Sequence, residues 1–553
     1  MNQDQTTMSS GAIAQSERKW IWLFAVAVML VTSIPYLIGY FNQGEQWEFT
    51  GFVFGVEDGN SYIAKMLTGA RGAWLFRTPY TAQPQNGVIA FLPYILAGKL
   101  SAAPGLHEQL VALYHLYRIL SGFLAIHATY GFIAIFVHEI YLRKLGTALT
   151  ILGGGLGWLL ILLGEDNWLG SLPLDFYSPE SFGFLSLYGI AHLNLARAGL
   201  LWGLTAYLKS LSGTENGGIL ASMKIGGWWL VTAIAQPLTA IVFGLVIGLH
   251  LVSLGVYEFG SARKSGNKQG KWMQVTFKRV ILAGFIPLPF IFYNLYAFRT
   301  DPFLIAWTEQ NIIKSPHPWH YVLAFGVIVP FAYYGARQLL RHLPLSGLLP
   351  ITWASAVPLL AYIPFNLQRR MPEGAWTAIV VLAMCAFQWK PSIGKPSFKR
   401  WLPIFGILFI SSFLLIAGGV LAALNPSSPV YRQKNEVMAF KYLAENAQVN
   451  DVVLAAYSSS NALPSWAPVR VVVGHGPESV GGSELKPVVE AFFQASTTDV
   501  TRKIFLEEQD VQFVLWGPEE RELGEWQPGE ADFLKKIYDD GDYQLFEVKA
   551  RDD

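Results

Sequence analysis

Long apolar segments recur along most of this chain and constrain its fold more than any other feature. The first, at residues 20–40, has about the 20 residues that an α-helix needs to cross a bilayer. Similar segments follow as far as residue 424, and only 14% of all residues are charged, against roughly a quarter in an ordinary soluble domain. The sequence therefore predicts a polytopic α-helical membrane protein.

The basic residues predict the topology. Arg18 and Lys19 precede the first apolar segment, and Lys and Arg collect on the cytoplasmic side of membrane proteins, so we predict a cytoplasmic N-terminus and an uncleaved anchor. The same rule, applied above all to the basic loop 261–279, gives about eleven crossings and an extracytoplasmic C-terminal region. The predicted crossings are residues 20–40, 119–137, 147–163, 184–207, two within 218–255, 281–298, 321–334, 345–364, 375–387 and 404–424.

Residues 41–115 are predicted to form one long external loop with interfacial or re-entrant helices. Segment 88–103 is short for a crossing, and a crossing there would place Arg143 and Lys144 on the outer side.

The loop contains an acidic pair, Glu57 and Asp58, with no basic residue beside it. Ionisable residues at the mouth of a helical bundle suggest a functional site. The simpler alternative is an acidic helix start, which the helix dipole favours.

Residues 425–553 carry more charge and alternate helix-like with strand-like runs. This alternation predicts a small extracytoplasmic α/β domain with a mainly parallel sheet, after a membrane domain at residues 1–424. The predicted helices are 436–447, 487–494 and 532–538, and the predicted strands are 452–456, 469–474, 511–516 and 543–548. The loops 474–478 and 517–520 follow strands, where α/β sheets bind ligands, but glycine with proline favours ordinary turns there.

This plan resembles the GT-C superfamily of membrane glycosyltransferases, which includes protein O-mannosyltransferases and the aminoarabinose transferase of lipid A. The resemblance rests on the Glu57-Asp58 pair, the following Tyr62-Ile63-Ala64-Lys65-Met66, the apolar segment 88–100 and the late basic pair Arg369-Arg370. It implies transfer of a sugar from a polyprenyl-phosphate donor to an acceptor on the outer face, with inversion at the anomeric carbon.

Inverting transfer needs a carboxylate that accepts the acceptor's proton and a cation that stabilises the departing phosphate. Asp58 is the candidate base, and Glu57 is predicted to orient it or raise its pKa. Arg369 and Arg370 are candidate phosphate ligands because a guanidinium binds phosphate oxygens bidentately. The alternative for both arginines is interfacial contact with membrane lipids.

Several other charged residues are candidates for the same site. Arg197 lies in the apolar run 184–207, where it needs a carboxylate or the donor phosphate, unless the helix begins later and leaves Arg197 at the surface. His192, Asp175 and Glu180 are candidates for acceptor binding, with plain solvation the favoured alternative for the two acids. The metal question stays open: the spacing gives no transition-metal site, whereas Mg or Mn at Asp58 and other carboxylates is compatible with the sequence.

The predicted partners are the lipid-linked donor, a lipid, glycan or protein acceptor, and membrane lipids. A net charge of +1 gives no argument for nucleic acid, and a single cysteine excludes an intrachain disulfide, which favours a bacterial plasma (inner) membrane. A polytopic transporter or lipid flippase, and a degenerate family member without activity, are the alternative functions.

Overall fold

The computed structural model describes residues 13–211, 218–265, 271–389 and 398–549. The chain forms two compact units, each assembled from three separate stretches. The first unit is Met1–Ser33, Arg118–Asn294 and Ile313–Gly418, and the second is Ile34–Tyr117, Leu295–Ile312 and Gly419–Asp553. The division proposed at residue 425 therefore remains a prediction about membrane arrangement. Residues 266–270 of the predicted cytoplasmic loop lie outside the described ranges.

Helices dominate both units. Those before residue 212 are α1 (Gln15–Phe41), α2 (Val56–Ala70), α3 (Leu92–Gly98), α4 (Leu106–Phe136), α5 (Ile140–Leu152), α6 (Gly157–Leu162), α7 (Leu174–Tyr177), α8 (Gly183–Gly189) and α9 (Ala191–Leu211). Those up to residue 424 are α10 (Gly218–Ala235), α11 (Pro237–Ser265), α12 (Lys271–Gly284), α13 (Leu288–Thr300), α14 (Pro302–Gln310), α15 (Pro318–Phe325), α16 (Val329–His342), α17 (Pro344–Ala361), α18 (Ala375–Gln388), α19 (Leu402–Ile407) and α20 (Ile410–Leu424). The last five are α21 (Lys434–Asn446), α22 (Tyr457–Ala462), α23 (Gly482–Phe492), α24 (Asp499–Glu508) and α25 (Pro518–Leu523).

Among the described residues, seven helices are long and apolar enough to cross a bilayer, or nine if each of two bent pairs is one span. The predicted count of eleven is thus not confirmed. The predicted crossing 147–163 is broken between α5 and α6, and 184–207 is divided between α8 and α9. In addition, α9 contains Asn194 and Arg197, which lower its hydropathy.

The first unit has an extensive apolar core in which α18 is almost wholly buried. Helices α16 and α18 pack backbone against backbone at Gly335, where a Cβ atom would lie 1.7 Å from the carbonyl oxygen of Leu382. The buried Trp376 indole donates a hydrogen bond to the Leu149 carbonyl at 2.7 Å, so this polar group is satisfied within the core.

In the second unit, the first long loop forms α2 and α3, which cross closely. A Cβ at Gly69 would lie 2.0 Å from the Ile95 carbonyl oxygen, and one at Gly98 would lie 1.9 Å from the Met66 carbonyl oxygen. Glycine at both positions permits this contact. Residues 88–103 contain only α3, whose seven residues span about 10 Å and cannot cross a bilayer.

Two sheets belong to the second unit. Strands β1 (Trp47–Phe49) and β2 (Tyr431–Gln433) form an antiparallel ribbon that joins the first loop to the C-terminal region. The other strands are β3 (Val452–Leu454), β4 (Arg470–Val471), β5 (Val511–Trp516), β6 (Leu534–Asp539) and β7 (Gln544–Val548). Their order is β4-β3-β5-β7-β6, in which β3 is parallel to β4 and β5 while β7 is antiparallel to β5 and β6. Two of these four pairings are antiparallel, so the predicted mainly parallel sheet is not confirmed.

The predicted helix 532–538 is wrong, because these residues contribute to strand β6. β6 lies at the edge of the sheet, and its exposed Lys535 and Lys536 are typical of an edge strand protected by charge. Lysine is also a good helix former, which explains the wrong assignment from the sequence.

Candidate functional site

The acidic pair occupies the first turn of α2 in the second unit. Gly55, which precedes the helix, has a φ of 58°, a left-handed conformation that glycine adopts without strain. Glu57 and Asp58 follow it at the positive end of the helix dipole, and the Asp58 side chain is 61% exposed. The sequence thus places an accessible carboxylate at a helix start.

Glu57 is bonded to residues far along the chain. Its Oε1 accepts hydrogen bonds from the Tyr457 hydroxyl at 2.5 Å and from the Gly476 N–H at 3.1 Å. Burial, followed by the bond to Glu57, raises the pKa of Tyr457, so this hydroxyl stays protonated and donates. Glu57 therefore attaches the start of α2 to the loop after β4, and it is well placed to fix its neighbour Asp58.

His475 lies beside Asp58. Its Nε2 is 3.4 Å from Asp58 Oδ1, and its side chain is only 6% exposed. The ring also packs on Tyr80, with 5.2 Å between ring centres. Burial alone lowers the pKa of His475, but the hydrogen bond to Asp58 and the charge of Glu478 outweigh it, and the pKa is raised above its ordinary value.

A buried ion pair lies behind the imidazole. Lys65 Nζ is 2.6 Å from Glu478 Oε1, and both side chains are almost inaccessible to solvent. Glu478 also accepts hydrogen bonds from Ser61 and Thr78 at 2.8 and 2.7 Å. Burial alone raises the pKa of Glu478, but the charges of Lys65 and His475 outweigh it, so the pKa is lowered and the group is a carboxylate at neutral pH.

We call these five residues the acidic site: Glu57, Asp58, Lys65, His475 and Glu478. The sequence predicts the first two as site residues, whereas glycine with proline in the loop 474–478 favours an ordinary turn. In the structure this loop carries His475 and Glu478 to the acidic pair. The one feature of the sequence that points to a site here is the position of this loop after a strand, where α/β sheets place binding residues.

The predicted arginines lie in the first unit, on the short 3₁₀ helix Gln368–Arg370. Arg370 Nε is 3.2 Å from Glu180 Oε1, and the Arg369 guanidinium lies 4.4 Å from the centre of the Tyr177 ring. Arg370 is 29% exposed, whereas Glu180 is buried. The structure therefore places the two candidate phosphate ligands, Arg369 and Arg370, beside Glu180, a candidate for acceptor binding.

Arg197 is buried and bonded to the protein. Its Nε and Nη2 donate to Glu373 Oε1 at 3.0 and 2.8 Å, and Nη2 also donates to the backbone carbonyls of Pro179 and Glu180. Glu373 supplies the carboxylate that a buried arginine needs, and no local sequence pattern points to it. In this arrangement Arg197 fixes the segment that carries Glu180. For Arg197 to contact a phosphate directly, one of these hydrogen bonds would have to be replaced by a bond to the phosphate.

The other two candidates for acceptor binding differ in their surroundings. Asp175 is buried, its Oδ2 accepts from Ser411 Oγ at 2.5 Å and from the Gly155 N–H at 3.2 Å, and burial raises its pKa. These contacts fit a structural role. His192 is partly exposed in the first turn of α9.

No group of three His, Cys, Asp or Glu side chains within the described ranges is arranged to hold a metal ion, so the Mg or Mn site stays a prediction.

No protein-family model and no curated protein matches this chain. Several solved structures do. The oligosaccharyltransferase of Archaeoglobus fulgidus in its apo form matches at a TM-score of 0.54 and 14% identity, over 97% of this chain and 75% of that one. ArnT from Cupriavidus metallidurans matches at 0.51 and 14% identity, over 96% of this chain and 98% of that one. The chain has the fold of the GT-C glycosyltransferases.

A third GT-C structure, the arabinofuranosyltransferase AftD from Mycobacteria, matches at a TM-score of 0.58 and 12% identity over 98% of this chain. This chain spans only 40% of the AftD length, whereas its length is close to that of ArnT. The predicted resemblance to the GT-C superfamily is confirmed at the level of the fold. The GT-C fold also agrees with the apolar helices in making this a multi-pass membrane protein.

Proposed function

We propose that this protein is an integral membrane glycosyltransferase that moves a sugar from a polyprenyl-phosphate donor to an acceptor on the outer face of the plasma membrane. The observation that carries the proposal is the exposed Asp58 carboxylate, which is hydrogen-bonded to a buried imidazole in a chain of GT-C fold. An exposed carboxylate supported by buried polar groups is suited to accept a proton from a bound substrate.

Asp58 acts as the general base in the proposed mechanism. Its carboxylate takes the proton of the acceptor hydroxyl while that oxygen attacks the anomeric carbon of the donor sugar. The bond between the anomeric carbon and the phosphate oxygen breaks, and the polyprenyl phosphate leaves with the electron pair. Attack opposite the leaving group inverts the anomeric carbon, and Asp58 is left protonated until it releases the proton to solvent.

Arg369 and Arg370 bind the donor phosphate in this proposal. Arg370 pairs with Glu180 and its side chain is 29% exposed, and a partly exposed guanidinium is suited to bind a phosphate oxygen. Arg197 acts indirectly by holding the Glu180 backbone in place. Glu180 and His192 remain proposed contacts for the acceptor, which is a lipid, glycan or protein. The A. fulgidus oligosaccharyltransferase has also been solved tethered with an acceptor peptide, at a TM-score of 0.50 to this chain.

Native mass spectrometry with polyprenyl phosphate tests the donor part of the proposal. We expect the detergent-solubilised wild type to retain the lipid and the double variant Arg369→Ala/Arg370→Ala to lose it. The matched control is Arg337→Ala/Arg341→Ala, which removes two exposed arginines of α16, one of which also lies over a tyrosine ring. Equal retention by all three proteins would contradict the assignment of the arginines, and no retention by the wild type would contradict the proposed donor.

A further inference from the structure

We propose that His475 is a positioning residue for Asp58: its buried imidazole holds the exposed carboxylate in one orientation, ready to face the acceptor hydroxyl. This inference rests on the proposed function, because it assigns to a residue of the C-terminal region a role in that same site.

The geometry of the ring supports this role. Nε2 faces Asp58 Oδ1 at 3.4 Å, and Nδ1 faces Glu478 Oε1 at 3.9 Å. A carboxylate only accepts hydrogen bonds, so Nε2 must be the donor to Asp58. The imidazole is 6% exposed and Asp58 is 61% exposed. A donor on a buried ring therefore restrains the rotamer of this exposed carboxylate.

The loop that carries His475 is itself held firmly. The Ser479 hydroxyl accepts hydrogen bonds from the N–H groups of Gly474 and His475 at 3.0 and 3.1 Å. Gln310 of α14 donates to the Ser479 carbonyl and accepts from the Gly481 N–H, both at 2.8 Å. A Cβ at Gly474 would lie 2.7 Å from the Ser460 backbone, so the loop packs directly on α22. These contacts fix the ring before any substrate binds.

The charges around the ring favour the same arrangement. Glu478 attracts the imidazole from behind, while Lys65 neutralises part of that charge and holds Glu478 in place. Among the described residues, the charged groups that act on the His475 ring are Asp58 and Lys65 of α2 and Glu478 of its own loop, and the Tyr80 ring packs against it. Two carboxylates therefore act on the ring against one lysine, which favours an imidazole that donates to Asp58.

Carboxyl footprinting tests the contact without any substrate. Carbodiimide labelling of the intact protein in detergent at neutral pH is read at Asp58 by peptide mass spectrometry. We expect His475→Ala to raise Asp58 labelling about twofold or more, because removal of the ring opens the Asp58 Oδ1 atom that it contacts to the reagent. His475→Gln should restore the wild-type value, since its amide can donate from the same region.

Two controls complete this measurement. Glu108, an acid whose side chain is 47% exposed and which pairs with Lys441, should label equally in wild type, His475→Ala and His475→Gln. His107→Ala removes another buried imidazole, stacked on Trp466, and should leave Asp58 labelling unchanged. Unchanged Asp58 labelling in a folded His475→Ala protein would overturn the inference.

Kinetics separate this inference from the proposed function. The substrate probe is a panel of polyprenyl-phosphate-linked hexoses and pentoses, with released polyprenyl phosphate as the product measured. We expect His475→Ala to lower kcat by about 10- to 100-fold with little change in KM, and His475→Gln to recover most of it. If Asp58→Asn is inactive while His475→Ala keeps full kcat, the inference fails alone; if Asp58→Asn keeps full activity, the proposed function fails.

Discussion

Individual side chains in the acidic site are held by partners that lie about 400 residues away in the sequence. His475 and Asp58 are separated by 417 positions, and Lys65 and Glu478 by 413. The orientation of the exposed Asp58 side chain depends on its buried neighbours. These neighbours are shielded from water and therefore keep a fixed geometry. The structure thus combines one accessible carboxylate with a rigid polar network behind it.

The Lys65 and Glu478 ion pair is predicted to be important for stability. Lys65→Met leaves a buried, uncompensated carboxylate and should lower the free energy of unfolding by about 3–5 kcal/mol. The measurement is thermal unfolding in detergent. Lys441→Met is the matched control, since it breaks an exposed pair with Glu108 and should cost less than about 1 kcal/mol. Equal losses of unfolding free energy in the two variants would contradict a larger contribution from the buried pair.

The sequence identified Asp58 because an isolated acidic pair beside apolar segments is unusual. His475 could not be connected to it, because the pairing depends on how β4 and α2 pack, and no local pattern encodes that contact. For Arg197, in contrast, the sequence does predict the kind of partner. Its buried position within an apolar run required a carboxylate on physical grounds, although only the structure identifies Glu373 as that partner.

At the scale of elements, the crossing of α2 and α3 sets the position of the acidic pair. The two helices approach at Gly69 and Gly98, where backbone atoms of one helix occupy the space that a side chain would need on the other. Tyr62 of α2 and Tyr94 of α3 also stack, with 4.8 Å between ring centres. Any displacement of this crossing moves the first turn of α2 as well.

Gly69→Ala should therefore destabilise the protein. The new methyl group would lie 2.0 Å from the Ile95 carbonyl oxygen, and relief of that clash costs about 1–3 kcal/mol. A thermal unfolding scan should show a lower Tm. In contrast, Gly131→Ala adds a methyl group within α4 at a position with no atom within 4 Å, and it should leave Tm unchanged or raise it. An unchanged Tm in Gly69→Ala would contradict the tight crossing.

Element types followed from the sequence wherever the apolar pattern was strong, as in α1, α4 and α17. The assignment failed at β6, where lysines on an edge strand produce a helix-like composition. Crossings that are interrupted in the structure were also hard to predict from the apolar pattern. The break between α5 and α6 falls at residues 153–156, where three consecutive glycines begin the gap, but the strength of the flanking apolar runs suggested one continuous crossing.

Over the whole molecule, the sequence indicated the membrane class and the GT-C resemblance, and the fold comparisons confirm that class. The arrangement of each compact unit from three stretches was not predicted, because it depends on pairings such as β1 with β2 across almost 400 residues. The C-terminal region also contains a cluster of acids. Arg432 pairs with the buried Glu436 and with the partly exposed Glu519, and the charges of Glu519 and Glu520 act on Glu436.

This acid cluster predicts how stability depends on pH. Burial raises the pKa of Glu436 to about 8 despite the nearby Arg432. The folded state therefore binds a proton that the unfolded state has released above its pKa of 4.5. The contribution to stability is complete below that value and is lost as the pH rises through about 8.

We expect Tm to fall between pH 5 and pH 8 in the wild type, a window that follows from the two pKa values of Glu436. Glu436→Gln should reduce that slope because the amide does not titrate, and the remaining slope is due in part to Glu520, whose pKa burial raises to about 7. Glu445→Gln in the same helix, whose side chain is exposed at the helix end, is the control and should retain the wild-type slope. If Glu436→Gln kept the wild-type slope of Tm against pH, this would contradict the assignment of the pH dependence to Glu436.

The most direct test of the central claim is turnover of a polyprenyl-phosphate-linked sugar by wild type and Asp58→Asn. The substitution removes the base but keeps the size of the side chain. We predict a loss of about 10²- to 10⁴-fold in kcat with an unchanged Tm, whereas Glu45→Gln, an exposed acid in the turn before β1, should keep wild-type turnover. Wild-type turnover by a folded Asp58→Asn protein would contradict the claim that this carboxylate is the catalytic base.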